Sequence, residues 1–281
     1  EGGHELRGQK DRTGERVWVT EIILKQTQVM TVIPYFERFM ERFPTITHLA
    51  QAEADTVLSL WTGLGYYTRA RNLHASAIAI TQQHQGHMPN DLDALIALKG
   101  IGRSTAGAIV SQAFNQRGVI LDGNVKRLLT RLYAIEGWPG QRQIDQQLWQ
   151  LATDLTPHQR NADYTQAIMD IGATICKPKQ PLCVACPMQA HCQALAQDKV
   201  GIIPTRKPKK AIPHKTVSVL LLQNKQGQTF LEQRPSKGIW GGLWSLPEFA
   251  DLEALQTQLA LEGLPTHTTP MAPIKHVFSH Y

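Results

Sequence analysis

The chain has 281 residues, 42% hydrophobic and 19% charged, which is enough apolar material for one large domain or two ordinary ones and too much for a wholly disordered polymer. Its 21 Gly and 16 Pro exclude collagen-like and low-complexity readings, and its apolar runs, such as residues 217–222, fall far short of the ~20 residues of a membrane helix. The net charge of +6 resides in one stretch: residues 199–215 hold six Lys/Arg, three Pro and no acid, and the rest balances at 23 of each sign.

Residues 1–16 carry eight charges, four Gly and one large aliphatic side chain, so they present no face to bury and are expected to be disordered. From Val17 the apolar positions recur every three to four residues through Val19, Ile22 and Ile23, then Phe36, Phe39, Met40 and Phe43. Pro44, Gly63, Gly65, Pro89, Gly100, Gly102 and Pro139 punctuate a succession of helices, each with one apolar stripe, and an all-α domain is expected over 17–198. The Pro-spaced basic run 199–215 reads as an extended interdomain linker able to lie on phosphates, or simply as a soluble connector. Beyond it, 216–222 and 229–233 are β-rich around a turn at 224–228, and a helix is expected over 252–261, so a smaller α+β domain spans 216–281. No basic-then-apolar leader opens the chain, which begins at Glu1 and not Met; a soluble, intracellular fragment is the expectation.

Four segments carry chemistry. The four cysteines, Cys176, Cys183, Cys186 and Cys192, fall within seventeen residues, spaced C-x6-C-x2-C-x5-C. Without a secretory signal such tight loops make poor disulfides, and four converging thiolates suit zinc or a [4Fe–4S] cluster. Only one C-x-x-C knuckle is present, and the irregular wrap favours iron–sulfur. In Lys99-Gly100-Ile101-Gly102-Arg103, two glycines between helices allow a hairpin whose amides, at a helix N-terminus, cradle one phosphate; a plain turn is the alternative. Such a helix–hairpin–helix grips a nucleic-acid backbone without reading bases. Asp122-Gly123-Asn124 precedes a helix, where a cap is the bland reading. Glu21, followed by Ile22-Ile23-Leu24, is a carboxylate placed for partial desolvation and general-acid use, or an ordinary exposed helix residue.

Taken together, TEIILKQTQV (20–29), WTGLGYYTRARNLH (61–74), LKGIGRSTAGAI (98–109), LDGNVKR (121–127) and the cysteine loop resemble, in order and spacing, the adenine-DNA glycosylases of the MutY family, over some 265 residues from Val17 to Tyr281, and the enterobacterial branch in particular. The resemblance implies a mainly α fold: a helix–hairpin–helix glycosylase domain with an iron–sulfur cluster loop (176–192), then a partial α+β Nudix-like domain. It implies removal of adenine mispaired with 8-oxoguanine, or with guanine, from double-stranded DNA, and a [4Fe–4S] cofactor. Carried over by position, Glu21 is the general acid, Asp122 the carboxylate that stabilises the sugar cation, and Asn124 its helper. Gln26 and Tyr66 match residues that wedge into the duplex; Gly100, Gly102, Arg103 and Ser104 form the hairpin; Lys126, Lys177 and Lys179 match DNA contacts. Gln166 matches the reader of the adenine edge, and Phe278, Ser279 and His280 the lesion-reading loop. Endonuclease III-like relatives carry a lysine nucleophile in the hairpin motif where this chain has Ser104, so a monofunctional enzyme is implied. The alternatives are a glycosylase/lyase of that kind and a DNA-binding iron–sulfur protein without catalysis. Against the family, the chain is expected to be truncated at both ends, and Lys25 stands where Gln is usual. A monomer in the bacterial cytoplasm, associated with the nucleoid and with no membrane partner, completes the expectation.

Overall fold

The computed structural model describes residues 12–25, 29–208 and 214–276, and the chain divides into two compact units, Glu1–Lys207 and Pro208–Tyr281. The first unit is helical. Among the described residues its helices are α1 (Gly14–Leu24), α2 (Val29–Arg42), α3 (Ile46–Ala50), α4 (Ala54–Leu60), α5 (Thr68–Gln83), α6 (Leu92–Ile96), α7 (Arg103–Phe114), α8 (Gly123–Leu132), α9 (Arg142–Leu155), α10 (Asn161–Asp170) and α11 (Gln193–Ala196). A π-helical turn, Ile171–Ile175, continues α10 into the cysteine loop.

The first helix begins earlier than its apolar pattern suggests. Thr13 caps α1, its hydroxyl accepting from the Arg16 amide at 3.4 Å, so Gly14, Glu15 and Arg16, expected to be disordered, lie in its first turn. A cap satisfies amide donors that an apolar stripe cannot, which is why composition alone misjudged them. Val17, Trp18, Val19, Ile22 and Ile23 are then buried, with α1 packing chiefly on α7 and also on α2 and α5. Phe39 stacks edge-on against Phe43 and Trp61, at centroid distances of 5.0 and 6.1 Å.

Helix α7 is central, packed on α1 at one side and α10 at the other. Behind it, Ala108, Ile120, Leu121, Val125, Leu128, Leu129, Leu148 and Ile168 close a second core with Cys176. The two glycines Gly107 and Gly118 let the chain before α8 lie directly on α7: a Cβ on Gly107 would stand 2.1 Å from the Val119 carbonyl oxygen. That contact fixes where the chain delivers Asp122.

The basic run is seated at its start. Ile203 is buried and its carbonyl accepts from Arg131 at 2.8 Å, and the units divide between Lys207 and Pro208, inside the stretch read as a linker.

In the second unit the sheet is sparser than its β-rich sequence suggests. Antiparallel β1 (Ser218–Val219) pairs with β4 (Glu248–Phe249), and β2 (Glu232–Gln233) with β3 (Trp244–Ser245). A single bridge, Gln223 to Thr229, closes the turn, where Asn224 Oδ1 accepts from the amides of Gln226 and Gln228. Helix α12 (Leu252–Leu261), capped by Asp251, buries Leu255 and Leu259. No helix among the described residues is long and apolar enough to cross a membrane.

Candidate active site and cysteine loop

Glu21 opens the last turn of α1. The residue keeps partial exposure, while its carboxyl group is surrounded by protein. Burial, reinforced by the negative charge of Asp122 and opposed by Lys25, pushes this carboxyl up to about 7. Near neutral pH it therefore exists in comparable protonated and ionised shares, the condition for giving a proton.

The end of α1 holds no cation of its own in its last turn. Arg69, from α5, supplies one: its guanidinium donates to the carbonyls of Ile22 and Ile23 at 3.2 and 3.0 Å, and to that of Lys25. The same group reaches the Leu64 and Gly65 carbonyls, both at 3.4 Å, and stacks on Trp61 and Tyr66. Arg69 thus satisfies carbonyls that a helix end leaves unpaired and fixes Glu21 against the loop bearing Tyr66. Tyr66 itself has a left-handed backbone, φ 48°.

Asp122 is exposed and caps α8, one carboxylate oxygen accepting from the Val125 amide at 2.8 Å. The two acids are thus unlike: one enclosed and holding its proton into the neutral range, the other exposed at a helix N-terminus. Ser104, expected on the DNA side of the hairpin, has its hydroxyl engaged as the acceptor of the Leu121 amide at 2.9 Å, one residue before Asp122. Asn124 receives a hydrogen bond from Arg127 at 2.9 Å.

The hairpin forms as its glycines require. Gly100 has φ +80°, and a Cβ there would meet the Asn72 side chain of α5 at 2.8 Å. Ile101 is buried between the exposed Gly100 and Gly102, and Ser76 donates to the Lys99 carbonyl at 2.8 Å, holding the turn from behind. Arg103 lies over the Trp149 ring at 4.0 Å, and Lys126 is ion-paired with Asp145. Gln166 donates to Asp170 at 2.8 Å, while its amide oxygen is enclosed without a hydrogen-bond partner. Gln26, Phe278, Ser279 and His280 lie outside the described residues.

All four cysteines line one cavity, walled further by Leu128, Leu132, Ile175, Met188 and Leu195. Burial pushes the Cys183 thiol up, and the neighbouring Cys192, Cys176 and Cys186 add to it. Two buried arginines of α8 support the loop. Arg127 donates to the Cys176 and Gly172 carbonyls at 2.6 and 2.5 Å, and Arg131 approaches the Cys176 sulfur at 3.4 Å and donates to the Lys177 carbonyl at 2.8 Å. Lys177 is half-buried and Lys179 exposed. Among the described residues, no three His, Cys, Asp or Glu side chains are grouped to hold a single metal ion. A four-sulfur lining with a guanidinium beside it fits a metal centre held by thiolates.

Arg69, Arg127 and Arg131 escaped the sequence reading. Arg127 and Arg131, four apart on a helix whose other inward positions are Val125, Leu128, Leu129 and Leu132, leave a trace in the sequence, since a cation on an apolar face must find buried acceptors. Arg69 leaves none.

Comparison with known proteins agrees with this construction. Residues 19–153 match the family model described as "HhH-GPD superfamily base excision DNA repair protein", and residues 218–281 match a NUDIX domain. A thermostable thymine-DNA glycosylase superposes with a TM-score of 0.62 at 23% identity, over 69% of this chain and 89% of that one. The first unit thus has the fold of a helix–hairpin–helix glycosylase of base excision repair. Among curated relatives, the adenine DNA glycosylase of Buchnera aphidicola subsp. Schizaphis graminum is 43% identical over 248 residues, 88% of this chain and 71% of the relative. That of Buchnera aphidicola subsp. Acyrthosiphon pisum is 38% identical over 281 residues, all of this chain and 80% of the relative. The chain belongs to the adenine DNA glycosylases, DNA N-glycosylases of base excision repair.

Proposed function

We propose that this enzyme removes adenine lying opposite 8-oxoguanine, and opposite guanine, by hydrolysing the N-glycosidic bond without cutting the strand. The observation that carries the reading is the pairing of unlike carboxyl groups: Glu21, pushed up to about 7, electrostatically coupled to the exposed Asp122. Glu21 gives its proton to the extruded adenine, turning it into a leaving group; Asp122 stabilises the oxocarbenium ion left on the sugar, and water adds at the sugar C1′, releasing a proton. Extrusion is required because neither the base nor its glycosidic bond is reachable within the stack. Asn124, held by Arg127, steadies the sugar side, and Gln166 offers its unpartnered oxygen to the adenine amino group.

Gly100, Gly102, Arg103 and Ser104 hold a backbone phosphate, with Lys126, Lys177 and Lys179 contributing charge, and Gln26 and Tyr66 wedge into the duplex. Phe278, Ser279 and His280 read the lesion, which presents a C8 oxygen and an N7 donor that guanine lacks. Cys176, Cys183, Cys186 and Cys192 hold a [4Fe–4S] cluster, which when bound would supply metal–sulfur bonds that tie the four points of the loop together and takes no part in bond cleavage. A serine hydroxyl occupied at position 104 supports hydrolysis over lyase chemistry, which needs an amine there.

The test is a panel of duplexes carrying adenine opposite 8-oxoguanine, guanine or thymine, each analysed with and without hot alkali. Strand breaks opposite 8-oxoguanine, and more weakly opposite guanine, that appear only after alkali support the reading. Breaks without alkali indicate a lyase, and retarded mobility without breaks a binding protein.

A further inference from the structure

Lys25 follows Glu21 by four residues, at the C-cap of α1, and its ammonium donates to the Gly100 carbonyl of the hairpin at 3.3 Å. Lys25 follows the acid by about one helical turn, and this bond ties its cation to the phosphate-gripping turn. The Lys25 charge acts on Glu21, favouring its ionised form against burial and Asp122. Among the described residues, Asp122 and Lys25 are the charges that act on Glu21 itself. Arg69 of α5 bears on Lys25 itself, and Arg103 of α7 is stacked on Trp149. On α2, Arg38 and Arg42 lie over the rings of Tyr35 and Phe43.

We propose that Lys25 is a positioning residue for the proton donor: its charge, held in place by the Gly100 carbonyl, sets the share of Glu21 that carries a proton at neutral pH. The inference rests on Glu21 as general acid. It makes the hairpin more than a phosphate grip, because the turn that meets the DNA backbone also holds the cation that governs the acid. Removal of the cation leaves burial and Asp122 unopposed, so Glu21 retains its proton to higher pH.

Single-turnover adenine excision from a duplex with adenine opposite 8-oxoguanine is measured from about pH 6 to 9, each rate taken relative to the same protein's own plateau. The proteins are the wild type, Lys25→Gln, Lys25→Arg and Glu21→Gln. An opposite charge at close range moves a carboxyl by about 1–3 pH units, and solvent near the half-buried Lys25 reduces this to roughly 0.5–1 unit. The basic limb of Lys25→Gln should therefore move up by about that amount, giving a several-fold higher relative rate on the basic side, while Lys25→Arg keeps the wild-type limb. A general loosening of α1 lowers the plateau without moving the limb. An unmoved limb in Lys25→Gln, or an equal shift in Lys25→Arg, overturns the proposal while leaving Glu21 as the acid. Excision retained in Glu21→Gln removes the acid and the proposal with it. If Lys25→Gln excises too slowly to follow, the pH dependence of unfolding reads the same titration: the decline in stability as pH rises should extend to higher pH than in the wild type, and an identical profile contradicts the proposal.

Discussion

Replacement of Glu21 by Gln should make the protein more stable at alkaline pH while abolishing its chemistry. A free glutamate titrates near 4.5, and in the folded protein Glu21 does so at about 7. As pH rises above 4.5 the unfolded chain loses its proton first and is stabilised by doing so; the folded protein follows only near 7. The stability associated with protonated Glu21 is thus fully present below 4.5 and is lost as pH rises through 7. The difference of about 2.5 pH units corresponds to about 3 kcal/mol at pH 8. At pH 5.5 only the unfolded state has titrated and the cost is about 1.5 kcal/mol. Glu21→Gln, which cannot ionise, escapes both. Urea unfolding of the two proteins at pH 5.5 and 8 should therefore show a stabilisation that roughly doubles between the two. A variant no more stable than the wild type at pH 8, or equally stabilised at both pH values, would refute the enclosed, proton-holding glutamate.

Asp122→Asn should leave folding nearly intact, within about 0.5 kcal/mol, because Asn caps a helix about as well as Asp. Excision should fall by more than ~100-fold, and single-turnover rates beside urea midpoints separate the two effects. Gly107→Ala should cost about 1–3 kcal/mol, since its Cβ would stand 2.1 Å from the Val119 oxygen with backbone on both sides, and excision should fall as Asp122 is displaced. Purified protein should be brown, with about four irons per chain by metal analysis, and Cys183→Ala should lose colour and iron; a colourless protein with one zinc per chain would contradict the cluster.

What the sequence reveals is mostly local. The hairpin follows from Gly100 and Gly102 flanking an apolar Ile101, because only the neighbouring chain decides such a turn. Helix α12 occupies the residues its apolar spacing marks, 252–261, with Asp251 as its cap. The charged composition of residues 1–16 hides the cap at Thr13, whose hydroxyl accepts from the Arg16 amide. The cysteine spacing announces a shared site without saying what supports it. That support comes from Arg127 and Arg131, whose partners at Cys176 and Lys177 lie 45 to 49 residues on. Arg69 likewise meets carbonyls 44 to 47 residues before it, and no periodicity encodes such a meeting. Ser104 shows the same limit: its hydroxyl accepts from the Leu121 amide, seventeen residues away, a partner its neighbours do not reveal. In the second unit, β propensity over 216–222 and 229–233 indicates extended chain, but ladder length depends on remote partners, and the pairs formed are two residues long.

The most direct measurement is the release of free adenine, quantified by mass spectrometry, from a duplex with adenine opposite 8-oxoguanine, with wild-type protein and Glu21→Gln run side by side under single-turnover conditions. Two carboxyl groups with divided roles require that the wild type release adenine and leave the strand intact until alkali is added. They also require that Glu21→Gln bind the duplex about as well and release adenine more than ~100-fold more slowly. Equal release by the two proteins, or strand cleavage accompanying release without alkali, would contradict the account.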